Sequence, residues 1–245
     1  MNDERIHTAV DAAYFGFSLL DTLRNEALFN VPDPARIPYY ESSSPLRSIL
    51  SWWLARSGRQ LVHAGAVGLP GRGGVLLAGR GGSGKSVSSL LCLCDGLDFA
   101  GDDYVALEFG ERPFVHSLYN SAKLNPADIG RFPALLNAMQ HPGETEEKAL
   151  LFASQIFPER IARGFPVRAI ILPRVKGAGR TELKETSAAF GLRSLAPSTI
   201  FQLPGAGREA FEAIARFVKT VPNYILEIGS DGPAVPSVIR EFLSR

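Results

Sequence analysis

The sequence is poor in cysteine, with only Cys92 and Cys94 in 245 residues. They stand two apart in a stretch that reads as helix, so they point to different sides. That spacing excludes a disulfide between them and supplies too few ligands for a zinc site. The pair reads as small apolar packing residues in a reduced, intracellular chain. Long hydrophobic runs are also missing. Stretches such as residues 169–173 are far too short to span a bilayer. The charged start, residues 1–5, is followed by no apolar signal core, so a cytoplasmic protein with no membrane partner is expected. An excess of one charge is lacking too: 26 Lys and Arg face 25 Asp and Glu, and no basic run tracks a nucleic-acid backbone. No internal repeat or low-complexity segment is present.

What remains is an ordinary globular composition, 45% hydrophobic and 21% charged. The length suits one large domain with a smaller appendage. Residues 1–57 read as an N-terminal extension and 58–245 as the core. Within the extension, 9–28 has helical character and Pro32, Pro34, Pro38 and Pro45 break up the next stretch. Residues 46–56 return to helix, with at most one of Trp52 and Trp53 facing the core. Gly58 stops that helix.

The core reads as alternating strand and helix. Strands are expected at 60–67, 74–78, 98–100, 104–109, 114–118, 167–172 and 224–228. Helices are expected at 85–94, 125–138, 146–157, 187–196, 208–221 and 235–243, with a loop at 141–145. The alternation predicts an α/β fold on a central sheet.

One segment carries chemistry outright. Gly79-Arg80-Gly81-Gly82-Ser83-Gly84-Lys85-Ser86 satisfies G-x-x-x-x-G-K-[ST], with an apolar strand before it and a helix after it. Gly79, Gly81, Gly82 and Gly84 let backbone N–H groups, including that of Ser83, approach phosphate oxygens. The helix that follows offers its N-terminus to the same anion. Lys85 supplies charge for the β- and γ-phosphates, and Ser86 a hydroxyl for Mg²⁺. Beyond the helix, Asp102 and Asp103 can divide metal binding and proton acceptance between them. Read alone, they equally suit a Gly-Asp-Asp turn. His63, in an apolar strand, is either a hydrogen-bonded core residue or a participant. Lys123 and Arg208 are candidates for neutralising a transferring phosphoryl group, with Arg174 behind them. His7, His116 and His141 have no partner visible in the sequence.

In this order, Leu61-Val62-His63-Ala64-Gly65-Ala66-Val67-Gly68, the phosphate loop, and Gly101-Asp102-Asp103-Tyr104-Val105 resemble the HPr kinase/phosphorylase family and the HPr-kinase-like serine kinases. The resemblance is specific over residues 60–107 and looser at 117–123 and 197–208. It implies a P-loop kinase core with a central mixed sheet, akin to phosphoenolpyruvate carboxykinases. It also implies ATP and Mg²⁺ as reactants and a serine-type hydroxyl as phosphoryl acceptor. By the same resemblance Asp102 would be the general base, Asp103 and Ser86 would serve the metal, Lys85 would bind phosphate, and His63 would sit beside the transferred group. The family's habit implies a homo-oligomer. Two departures stand out: only about 57 residues precede the core, and the family's later acidic ligand has no clear counterpart, Asp128 lying in the region without a motif. Relatives include kinases of lasso-peptide precursors, so the acceptor expected here is a protein, a peptide or a small molecule with a hydroxyl. An ATPase switch or a nucleotide-binding scaffold is the alternative from another class.

Overall fold

The computed structural model describes residues 5–140, 148–203 and 207–245. The expected loop at 141–145 falls outside them.

The N-terminal segment corrects the expected helix at 9–28. Strands β1 (Ile6–Asp11), β2 (Gly16–Asp21) and β3 (Glu26–Asn30) form an antiparallel sheet in that order. Each reversal opens on an aspartate whose carboxylate accepts backbone N–H groups of the turn: Asp11 from Ala13 at 2.9 Å, and Asp21 from Leu23 and Arg24 at 3.0 and 3.1 Å. The turns contain Phe15 and Asn25 at φ +55° and +56°. Such side-chain bonds offer the backbone an alternative to helix. The prolines that follow give extended chain and two short 3₁₀ turns, Pro34–Arg36 and Tyr39–Ser43. Helix α1 (Arg47–Arg56) then buries Trp52 and leaves Trp53 out, and Gly58 ends it at φ +72°.

The expected strand at 60–67 is two strands. β4 (Arg59–Val62) pairs with β8 (Val105–Glu108), whereas β5 (Gly65–Leu69) lies between β6 (Gly73–Leu77) and β7 (Asp98–Gly101). The chain changes neighbours at His63 and Ala64, so His63 occupies a corner rather than a strand. Helix α2 (Lys85–Cys94) stands where expected. β9 (Phe114–His116) follows, then β10 (Ser121–Leu124), which the sequence had not marked. The helix expected over 125–138 is only α3 (Pro126–Ile129) and a 3₁₀ stretch, because Pro133 interrupts it. In the described part of 146–157 the expected helix is instead β11 (Ala149–Phe152), antiparallel to β10, with two 3₁₀ turns after it.

β12 (Gly164–Val175) is the long central strand, parallel to β6 and to β14 (Asn223–Ile228) and antiparallel to β9. β13 (Glu182–Thr186), also unmarked in the sequence, pairs with β14. Helix α4 (Ala188–Gln202) runs past the expected end and through Pro197. Its buried Leu195, Ala196 and Thr199 hold it against the sheet. Helices α5 (Arg208–Thr220) and α6 (Val235–Ser244) complete the chain.

The fold is mixed α/β, with a nine-stranded central mixed sheet between helical layers. Alternation along the strands sorts residues by face. Val67, Val75 and Leu77 meet Leu90 and Leu93 of α2 and Ile239 and Leu243 of α6. Ala66, Leu76 and Ala78 meet Leu195 of α4 and Ile214 and Phe217 of α5. Among the described residues, no helix is long and apolar enough to cross a membrane.

Candidate active site

β6 feeds directly into the glycine-rich loop. The Ala78 N–H still donates to the Ile171 carbonyl at 3.0 Å, so the sheet stays rigid up to the loop's first residue. Gly82 and Gly84 adopt φ +77° and +100°, which L side chains rarely take. Gly84 is the N-cap of α2, so the free N–H groups of the first turn open toward the loop. The helix sits close to the sheet because position 65 is glycine: a Cβ there would lie 2.6 Å from the Ser89 Oγ.

Lys85 is buried and donates to the loop's own carbonyls, Gly79 at 2.6 Å and Arg80 at 3.3 Å. Burial lowers its pKa, with Asp102 and Asp103 opposing. The same side chain lines the cavity where an anion would sit.

The two aspartates have different surroundings. Asp102 is 2% exposed. Its Oδ2 accepts the Lys123 N–H at 3.4 Å, and its Oδ1 is buried with no hydrogen-bond partner among the described residues. Burial pushes this carboxyl up, and the charge of Asp103 pushes the same way, against nearby hydroxyls of Ser86 and Ser89. Asp103 faces the cleft. Its Oδ1 lies 2.9 Å from His63 Nε2 and its Oδ2 lies 2.5 Å from Lys123 Nζ. Burial opposes its ionisation, but the His63 hydrogen bond and the Lys123 ammonium outweigh that and hold it well below the usual carboxylate range.

His63 is itself fixed on several sides. Its N–H donates to Thr199 Oγ1 of α4 at 3.1 Å, and its ring lies 5.3 Å from that of Tyr104. Tyr104 accepts from Arg47 Nη1 at 3.2 Å and donates to Gln202 Oε1 at 2.6 Å. Burial raises the phenol to about 12, so it stays a neutral donor. Arg47 also pairs with Glu41.

These groups border a cleft of about 270 Å³ lined by the loop glycines, Lys85, Ser86, His63, Asp103 and Lys123. Its lining also includes Asp128, Arg131 and Lys148, and the apolar side chains of Val87, Leu91, Ile228 and Val235. The structure thus brings His63, Asp103 and Lys123 together at the phosphate loop, with Asp102 directly behind them. It does not bring Arg208 there. That side chain is 89% exposed at the start of α5 and pairs with Glu212 at 2.7 Å. Arg131 and Lys148 had no sequence signal, and Asp128 had only its position. His7 stacks on Trp52 at 5.6 Å and His116 pairs with Glu108 at 2.9 Å, both away from the cleft.

Among the described residues, no cluster of three or more His, Cys, Asp or Glu forms a metal cage. The donor set suits Mg²⁺ nonetheless, since that ion is held by one or two protein oxygens together with substrate phosphates and water. The unpartnered Asp102 Oδ1 beside Ser86 supplies such a pair.

No protein-family model and no curated protein sequence matches the chain. Among solved structures, it is similar to the Hpr(Ser) kinase/phosphatase from Coxiella burnetii, at 14% identity over 75% of this chain and 95% of that one, with a TM-score of 0.41.

Proposed function

We propose that the protein is an ATP-dependent kinase that transfers the γ-phosphoryl group to a hydroxyl of a protein, peptide or small molecule. The observation that carries this reading is the convergence of Lys85, Asp103, His63 and Lys123 on the cleft at the phosphate loop, with Asp102 behind. The loop and Lys85 would cradle the β- and γ-phosphates. Ser86 and Asp102 would hold Mg²⁺, which supplies charge neutralisation on the phosphates. Asp103 is the carboxylate within reach of a hydroxyl entering the cleft, and His63 fixes one of its oxygens. Lys123, paired with Asp103 and lining the same cleft, would place its charge where negative charge develops. This division exchanges the aspartate roles expected from the sequence; it is supported by the burial of Asp102 beside the Ser86 and Ser89 hydroxyls and the place of Asp103 in the cleft lining.

The test is transfer from γ-labelled ATP to serine peptides and hydroxylated metabolites, with Mg²⁺ titrated. Asp103→Asn is expected to lower kcat by about 10²–10⁴-fold with the Mg²⁺ dependence unchanged. Asp102→Asn is expected to raise the half-saturating Mg²⁺ concentration by about 10–100-fold. The opposite pattern would restore the assignment read from the sequence. Label released only as free phosphate, whatever the acceptor, would replace the kinase with an ATPase.

A further inference from the structure

The phosphate loop has a second cleft on its other side. It is wider, about 790 Å³, and meets the first along Gly81 and Gly82. Its lining contains arginines from three elements: Arg80 of the loop, Arg174 near the end of β12 and Arg193 of α4. Among the described residues it contains no acidic side chain. The sequence explains why. The stretches 75–94, 166–181 and 187–203, which supply all of this lining but Ile225, contain no aspartate or glutamate. In a chain whose charges nearly balance, that is a local excess of one sign.

None of these arginines has a carboxylate partner among the described residues, whereas the neighbouring Lys176 is paired with Glu227 at 2.5 Å. Arg193 instead lies over the Phe190 ring at 5.7 Å. Phe190, Leu172, Pro173 and Ile225 give the cleft an apolar floor. The Ser83 Oγ, also in the lining, is buried without a hydrogen-bond partner.

We propose that this second cleft binds an acidic peptide segment, carried by the phosphoryl acceptor next to its reactive hydroxyl. Guanidinium groups match carboxylates in fork geometry, and three cations with no carboxylate partner among the described residues attract an anionic chain. The arginines stand on separate elements around a wide opening. That arrangement suits carboxylates distributed along a chain more than one compact oxyanion. The role of the peptide as acceptor rests on the kinase reading; its binding does not.

The experiment uses the full chain and two labelled peptides, a serine flanked by glutamates and the same serine flanked by glutamines. Binding is followed by fluorescence anisotropy without nucleotide. The acidic peptide is expected to bind at least about tenfold tighter, with the preference shrinking as salt rises. The double variant Arg174→Glu/Arg193→Glu should abolish the preference and leave ATP affinity unchanged. The milder Arg174→Gln/Arg193→Gln should weaken it while keeping the wild-type thermal midpoint. Equal binding of both peptides would overturn the proposal. So would competition by inorganic phosphate as strong as that by the acidic peptide, or a parallel loss of ATP affinity, which would give the cleft to the nucleotide. Acidic-peptide binding with no label transferred would leave the cleft assignment standing and remove the kinase.

Discussion

At the scale of single residues, the site depends on a tyrosine whose contacts nothing in the sequence announces. Tyr104 follows the aspartate pair, is 2% exposed, and presses its ring toward His63 while its hydroxyl joins Arg47 and Gln202. Ring and hydroxyl do separate jobs. Tyr104→Phe keeps the ring and strips one partner from the largely buried Arg47, which costs about 1–3 kcal/mol of stability. Its kcat should stay within about threefold of wild type, since His63 keeps its neighbour. Tyr104→Leu removes the ring that confines His63, and kcat should fall about tenfold with ATP affinity unchanged. Thermal melts and single-turnover transfer separate the two effects; equal kcat for both variants would deny the ring any positioning role. The loop residues and the aspartate pair are legible as candidates because phosphate chemistry restricts residue type at short spacing, whereas His63 follows from the resemblance and Lys123 is a candidate cation only. Tyr104 is not legible, because its partners are 57 and 98 positions away. Arg208 shows the converse. A cation beside glycine at a helix start looks suited to phosphate, yet its neighbour Glu212, one turn on, takes it.

Among elements, those legible in the sequence were the ones whose period and boundaries agreed. α2 and α5 have glycine before them and a clear apolar face, and β6 and β12 are apolar runs buried on both sides. Sequence and structure part where apolar density coincides with turn chemistry that overrides helix. Asp11 and Asp21 each open a hairpin turn, a signal present in the sequence and outvoted by the aromatics around it. β13 was missed because its residues, Glu182–Thr186, are mostly exposed and charged. It is held at the edge by a charge pattern instead. Glu227 of β14 accepts from Lys176 at 2.5 Å and from Lys184 of β13 at 2.7 Å. Those two hydrogen bonds lower the carboxyl from 4.5 to about 2. A carboxyl depressed in the folded state contributes stability that is present above its ordinary pKa and lost as pH falls through the folded value. The β13–β14 edge should therefore loosen between pH 4.5 and about 2. Hydrogen exchange at β13 amides should rise across that window, and Glu227→Gln should show the raised exchange already at pH 6. A Gln variant with wild-type protection at both pH values would mean that the backbone ladder alone holds the edge.

For the molecule as a whole, the question is where the N-terminal part ends. A boundary at 57/58 follows the glycine that stops α1, but the packing argues for an earlier one. Leu54 of α1 belongs to the cluster of Leu61, Tyr104, Ala106 and Leu203, and Arg47 bonds Tyr104, so α1 is built into the region that supports His63. The opposite side of α1, Ile49 and Trp52, packs on Leu20 of β2 in a separate small cluster. β1–β3 thus rest on α1, and α1 rests on the core. Both tryptophans of the chain lie in α1, Trp52 at 5% and Trp53 at 44% exposure, so fluorescence reports on this junction alone. A chain beginning at residue 31 should fold, bind ATP with the wild-type affinity, and show both tryptophans open to acrylamide where the full chain shields one. A chain beginning at residue 58 loses Leu54 and Arg47 together. It should lose several kcal/mol of stability, about 2–5 for a buried leucine alone, and transfer phosphate poorly even where it still binds ATP. If the two truncations instead behave alike, α1 contributes nothing to the site, and the contacts of Tyr104 that reach it through Arg47 are incidental to catalysis.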